Sequence, residues 1–132
     1  MKRFMLGLLV LLALLLVAYY GLAESGEVVV LETRDASGAH ETRVWVVDHD
    51  GFAWLRTGDP KSPWLARLRA NPEVAVTRAG VRREYRAVPS DDPALRDRIN
   101  ALTLEKYGFA EQALRATMMD PDGATPIRLE PK

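Results

Sequence analysis

Short β-rich segments separated by tight turns make up most of the chain after residue 26 and restrict the folds open to it. Turn dipeptides such as Asp50-Gly51 and Ala79-Gly80 suit the hairpin connections between such segments. The predicted strands cover residues 27–32, 42–47, 52–56, 74–77, 81–88 and 126–129. About six short antiparallel strands with a few helices are typical of a small barrel, so we predict a mainly β fold with helical cover.

One short helix is predicted between the third and fourth strands. Ser62 is a good N-cap residue, and Pro63 suits the first helical position because no N–H is needed there. Asn71 precedes a proline, which ends the helix after about two turns. Trp64, Leu65 and Leu68 fall on one side of it, and we expect that side to pack on the barrel.

Two more helices are predicted near the C-terminus. The first begins around Asp92-Pro93 and carries an apolar stripe that includes Leu95, Ile99 and Leu102. Tyr107-Gly108 ends it, and a second short helix covers residues 109–119.

The N-terminus differs from the rest of the chain, because Lys2 and Arg3 precede an uncharged apolar run over residues 4–23. A run of about 20 apolar residues can span a bilayer as a helix, whereas small residues before Glu24 suit signal-peptide cleavage near Ala23. Both readings stay open, with residues 1–23 as anchor or signal and 24–132 as the folded domain. Either one predicts that the domain lies outside the cytoplasm: at the cell membrane as a single-pass protein, or periplasmic or secreted after cleavage.

Composition excludes several classes of function. The predicted exported part holds 16 Lys and Arg against 18 Asp and Glu, a net charge of about −2, which argues against nucleic acid as a partner. There is no cysteine, which excludes thiol catalysis, disulfides and cysteine-ligated metals. We interpret Asp48-His49-Asp50 as part of a hairpin turn and predict no metal site. No residue stands out as a catalytic acid or base.

The stretch from Gly58 to Val76, GDPKSPWLARLRANPEVAV, resembles the Gly-x-Pro-x-Trp … Ala-Asn-Pro-x-Val segment of the deazaflavin (F420)-dependent nitroreductase family. That family belongs to the pyridoxamine 5'-phosphate oxidase-like split β-barrels. The preceding strands are similar too, so the resemblance covers about residues 27–88. It implies a split β-barrel, usually a homodimer, that binds FMN or coenzyme F420 and reduces a small organic acceptor.

The resemblance also implies cofactor-binding residues, since family members hold the cofactor phosphate with basic and hydroxyl side chains. Matched by position, they are Arg43, Trp45, Arg56, Thr57, Gly58, Lys61, Ser62, Trp64 and Asn71. The free N–H groups at the start of the short helix are suited to the same task, because they and the helix dipole attract anions.

Two departures from the family pattern bear on the cofactor. Where F420-binding relatives have a basic turn after the first strand, this chain has Arg34-Asp35-Ala36-Ser37-Gly38, and the proline expected soon after Arg43 is absent. These differences favour FMN over F420 and leave open a chain with no redox cofactor. Two hypotheses follow: an exported or membrane-anchored flavin-type oxidoreductase, or a non-enzymatic split-barrel module that binds another ligand or a protein.

Overall fold

A computed structural model of the protein describes the backbone of residues 1–24 and 26–132 and the side chains of residues 1–17 and 26–132. The helices are α1 (Lys2–Glu24), α2 (Pro63–Ala70), α3 (Pro93–Tyr107) and α4 (Phe109–Thr117), and a 3-10 turn covers Pro121–Gly123. The strands are β1 (Val28–Asp35), β2 (Gly38–Trp45), β3 (Val47–His49), β4 (Phe52–Thr57), β5 (Glu73–Arg78), β6 (Val81–Pro89) and β7 (Thr125–Pro131).

The strands form one antiparallel sheet that curls into a barrel. Their order across the sheet is β2-β1-β5-β6-β7-β4-β3, which places β2 and β3 at opposite edges. These two edge strands are nevertheless consecutive in the chain and are separated by Val46 alone. Since one residue carries the chain from one edge to the other, the sheet has to curl until its edges meet at Val46.

The prediction of about six strands was close but wrong in one place. Residues 42–47 were predicted to form one strand, and the structure divides them between β2 and β3. Val44 pairs with Val29 of β1, whereas Val47 pairs with Trp54 of β4. Because the run divides at Val46, its first part pairs at one edge of the sheet and its last part at the other.

Two apolar clusters hold the fold together, one inside the barrel and one outside it. The interior cluster includes Leu31 and Leu55, and α2 adds Leu65 and Leu68 to it, as the sequence predicted. Side chains alternate between the two faces of a strand, so Trp54, next to Leu55, points to the outer face. There it joins the second cluster, formed with Val47 on β3 and with Ile99 and Tyr107 on α3.

Two exposed surfaces lie outside these clusters, one charged and one apolar. Arg82, Arg83, Glu84 and Arg86 of β6 are exposed together. Helix α1 exposes its large apolar side chains from Phe4 to Val17. Among the residues that the structure describes, none of the helices combines the length and the apolar character needed to cross a membrane.

Candidate functional site

A cleft of about 530 Å³ lies between the outer faces of β2 and β4, the β4–α2 loop, and helices α3 and α4. This volume falls within the range usual for pockets that bind small ligands. Its side chains come from β2 and β4 (Arg43, Trp45, Trp54, Arg56), from the loop and α2 (Gly58, Asp59, Ser62, Trp64), and from α3 and the end of α4 (Thr103, Leu114, Met118, Met119).

Strand alternation delivers two of the predicted residues to this cleft. Val44 is 8% exposed and belongs to the interior cluster, and its neighbours Arg43 and Trp45 point to the opposite face of β2; the cleft borders all three residues. Arg43 is exposed and forms no ion pair with any side chain of residues 1–17 or 26–132. Its guanidinium can therefore bind an anion without first releasing a protein carboxylate.

The ring of Trp45 stacks on the ring of Tyr107, with centroids 4.2 Å apart and an angle of 8° between their planes. The Tyr107 hydroxyl accepts a hydrogen bond from Val46 N–H at 3.0 Å and contacts the carbonyls of Glu27 and Val46. The hydroxyl has a single proton and can donate to only one of the two carbonyls. The contact with the Glu27 carbonyl is the shorter of the two. Burial raises the pKa of Tyr107, which keeps the hydroxyl neutral and able to donate.

Arg56 lines the cleft, but its charge is already compensated. One guanidinium nitrogen, Nη2, lies 2.7 Å from Oε2 of Glu111 and donates to Oε1 at 2.9 Å. The other, Nη1, donates to Oδ1 of Asn100 at 3.1 Å. Glu111 is completely buried and also lies 3.5 Å from Nε of Arg115. The predicted role of Arg56 as a cation for phosphate is therefore weakened, because a buried carboxylate holds it.

The ion pair between Arg56 and Glu111 also fixes α4 beside the cleft. Leu114 and Met118 follow Glu111 at three and seven residues, so the three share one face of the helical stretch. Leu114 and Met118 line the cleft, and Met119 touches its loop side at Gly58. These apolar residues were not predicted to belong to a site. The four-residue spacing of Leu114 and Met118 is a helical signal that could have placed the two on one face.

The start of α2 differs from the prediction in how it is capped. Ser62 precedes the first helical residue, but within the part of the chain that the structure describes its hydroxyl caps no N–H group. Asp59 instead stabilises the turn before the helix, since its carboxylate accepts from Lys61 N–H at 2.9 Å and its carbonyl accepts from Ser62 N–H at 3.0 Å. The Ser62 hydroxyl lines the cleft instead, where it can bind a ligand.

Three of the predicted site residues lie outside the cleft. Thr57 is 1% exposed, and its hydroxyl accepts from Thr125 N–H at 3.3 Å, which ties β4 to β7. Lys61 is exposed in the loop before α2. The Asn71 side chain accepts from Glu73 N–H at 3.2 Å and stabilises the turn into β5. Thr57 and Asn71 thus have structural contacts, one between two strands and one in a turn.

An ionic cluster lies where the barrel closes. Arg78 pairs with Glu27 at 3.0 Å and with Asp48 at 2.8 Å, and Lys106 pairs with Glu27 at 2.8 Å. Hydrogen bonds from Arg78 lower the pKa of Glu27, with help from Lys106, and the pKa of Asp48. Asp48 thus serves an ion pair, and the predicted hairpin turn that follows it is confirmed by positive φ angles of 52° at Asp50 and 79° at Gly51.

The turn between β1 and β2 contains the acid that departs from the F420-binding pattern. Oδ1 of Asp35 accepts from the Ser37 hydroxyl at 2.6 Å and lies 3.0 Å from Nε2 of His40. The hydrogen bond from Ser37 and the contact with His40 lower the pKa of Asp35 to about 2. This turn therefore carries a negative charge at every physiological pH.

Solved structures share this fold. The protein named Putative Pyridoxamine 5'-phosphate oxidase from Listeria innocua aligns with a TM-score of 0.60 and 16% identity, over 87% of this chain and 91% of its own. The heme storage protein HutZ from Vibrio cholerae gives 0.61 and 18%, over 87% of each chain. An FAD-binding protein from Mesorhizobium loti gives 0.59 and 12%, over 82% of this chain and 83% of its own. These likenesses show that the chain shares the split-barrel fold of these proteins.

Sequence comparison gives a family assignment. No curated protein matches the chain. Residues 21–129, most of the 132 residues and the whole of the barrel apart from its last residues, match the model of a family described as "Uncharacterized protein conserved in bacteria (DUF2255)". The chain therefore belongs to the DUF2255 family of bacterial proteins, and its fold is a split barrel.

Proposed function

We propose that the cleft binds a flavin and that the chain is an oxidoreductase for small organic acceptors. The observation that carries this proposal is the convergence of Arg43, Trp45 and Trp64 on one cleft of about 530 Å³ at the outer face of a split barrel. Indole rings provide broad apolar contact for a planar aromatic ligand, and a guanidinium without an ion pair among the described side chains suits its phosphate. A structural neighbour described as FAD-binding supports the same ligand class.

Each part of the cleft has a task in this proposal. Trp45 and Trp64 contact the ring system, Arg43 and the Ser62 hydroxyl bind the phosphate, and Leu114 excludes water. A bound flavin supplies the hydride chemistry itself. The protein then has to bind, orient and shield it.

FMN fits the cleft better than F420. The long anionic tail of F420 would need cations beyond those that bind a phosphate. Arg56 is occupied by Glu111, and the turn where F420-binding relatives are basic carries the ionised Asp35. Of the two arginines that line the cleft, Arg43 is the one that no described carboxylate holds, and it is available for a compact anion such as the FMN phosphate.

The direct test uses the full-length chain, purified in mild detergent because α1 exposes apolar side chains. An absorption spectrum of the purified protein is followed by titrations with FMN and with F420, monitored by ligand fluorescence. We expect a yellow protein or saturable quenching of FMN at micromolar concentration, and weaker binding of F420. A colourless protein that quenches neither ligand would contradict the proposal.

A second candidate is a non-enzymatic module that uses the same cleft for another ligand. The observation that favours it is the Arg56–Glu111 pair, because it removes one cation that a phosphate-binding cleft would use. A protein that ignores FMN but binds riboflavin, which lacks the phosphate, would favour this candidate.

We further propose that the barrel lies outside the cytoplasm, because Lys2 and Arg3 precede the apolar residues 4–23. Protease treatment of intact cells and of spheroplasts tests this location. N-terminal sequencing of the cellular protein distinguishes cleavage near Ala23 from an uncleaved anchor. A protein that withstands protease in spheroplasts and keeps Met1 would contradict it.

A further inference from the structure

We infer that Tyr107 is a positioning residue of the cleft, and that it links the orientation of Trp45 to the segment that follows α1. Tyr107 is 6% exposed and does not line the cleft, so it acts through Trp45. The inference rests on the proposed flavin site for its ligand readout, but its structural part is tested without any ligand.

The rings of Tyr107 and Trp45 are stacked on each other. With centroids 4.2 Å apart and planes within 8° of parallel, Tyr107 covers one face of the Trp45 indole. Trp45 is half-buried at the end of β2, next to the break at Val46, where strand pairing to β1 ends. The tyrosine ring therefore supplies the support that a continuing strand would otherwise give this tryptophan.

Hydrogen bonds to the backbone hold Tyr107 in place. Its hydroxyl contacts backbone groups of Glu27 and Val46, which lie 80 and 61 residues away in sequence. Lys106, its neighbour, reaches the Val46 carbonyl at 2.7 Å and the Glu27 carboxylate at 2.8 Å. The ring is thus fixed at the hydroxyl end by two chain segments and cannot tilt freely.

The ring of Tyr107 packs closely against Gly26. A Cβ atom added at Gly26 would clash with Cδ1 and Cε1 of the tyrosine ring. Since the hydroxyl is anchored, the ring cannot move away without carrying the stack with it. Gly26 directly precedes Glu27 and lies close to the end of α1, so this junction and the cleft wall share one side chain.

The test compares near-ultraviolet circular dichroism of four full-length variants with the wild type. Trp45→Phe identifies the signal of Trp45 among the three tryptophans. We expect Tyr107→Phe and Gly26→Ala to reduce that signal and to increase quenching of Trp45 fluorescence by acrylamide. Gly7→Ala is the matched control, because nothing lies within 4 Å of a Cβ atom added there. Unchanged Trp45 spectra in both Tyr107→Phe and Gly26→Ala would overturn the inference.

A double-mutant cycle with FMN separates positioning from a general loss of structure. Tyr107→Phe should weaken FMN binding about 2- to 10-fold, the usual effect of losing hydrogen bonds. The same change in a Trp45→Ala background should have no further effect, because the link to the cleft is already lost. Equal losses in both backgrounds would overturn the positioning role. If the wild type binds no FMN, the flavin proposal fails, and the circular dichroism comparison still decides the inference.

Discussion

Arg56 and Glu111 form an ion pair beside the cleft, with Nη2 of the arginine 2.7 Å from Oε2 of the glutamate. The glutamate side chain is 0% exposed and the arginine side chain 9% exposed. The pair joins β4 to α4 across 55 residues of sequence. It removes a cation from ligand binding and at the same time holds the apolar wall of the cleft in place.

The first prediction concerns this pair. Glu111→Leu leaves the Arg56 guanidinium buried without its carboxylate, so we expect the free energy of unfolding to fall by about 3–5 kcal/mol. Urea denaturation measures the change. Adding Arg56→Met to that variant should recover most of the loss, because two apolar side chains replace the pair. A single variant as stable as the wild type would show that the pair contributes nothing.

The second prediction concerns phosphate recognition. Arg43→Gln should weaken FMN binding by about tenfold or more, since a charge-assisted hydrogen bond is lost, and should leave riboflavin binding nearly unchanged. Fluorescence titration with both ligands measures the two effects. Lys61→Gln is the matched control, because Lys61 is exposed outside the cleft. If Lys61→Gln weakens FMN binding as much as Arg43→Gln does, Arg43 is not the specific phosphate-binding cation and the prediction fails.

Much of the barrel follows from local patterns, and the parts that do not have identifiable reasons. Asp50-Gly51 marks its hairpin because few other dipeptides adopt two positive φ angles. The break at Val46 has no such mark, since it falls within the uninterrupted β-branched and aromatic run of residues 44–47. It becomes necessary only when one strand has to pair with β1 and the next with β4.

The cleft, too, follows from local sequence patterns only in part. Alternation along β2 is enough to place Arg43 and Trp45 on one face, opposite Val44. The pairing of Arg56 with Glu111 depends on how α4 packs, and no periodicity relates residues so far apart. The sequence pattern from Gly58 to Asn71 identified the cleft only in part: Gly58, Ser62 and Trp64 line it, whereas Lys61 lies in the loop before α2 and Asn71 in the turn into β5.

The third prediction tests the interior of the barrel. Val29 is 0% exposed, so Val29→Ala should destabilise the fold by about 2 kcal/mol through lost burial and a residual cavity. Val81→Ala removes the same two methyl groups from a residue that is 53% exposed, and should cost less than about 0.5 kcal/mol. Chemical denaturation of both variants provides the comparison. Equal losses would mean that the interior cluster is not the stabilising core.

The fourth prediction concerns acid stability. Arg78 lowers the pKa of Glu27 and of Asp48 below their ordinary values of 4.5 and 3.8. Carboxylates with a lowered pKa in the folded state stabilise the fold above their unfolded pKa, and this contribution is lost as the pH falls through the folded pKa. Arg78→Gln should therefore destabilise the protein most at neutral pH, and the difference from wild type should shrink below about pH 4.

Thermal unfolding of wild type and Arg78→Gln across the acid range measures this difference. Arg83→Gln, on the exposed part of β6, is a control that removes the same charge away from these carboxylates. A loss of stability in Arg78→Gln that stays constant down to the most acid pH would contradict the assignment.

The central claim is that the outer cleft beside β2 binds a flavin, and a crystal structure of the full-length chain with saturating FMN tests it most directly. The account predicts density for the ring system against Trp45 and for the phosphate within hydrogen-bond distance of Arg43. An empty cleft at saturating FMN, or a flavin bound elsewhere on the barrel, would contradict the account.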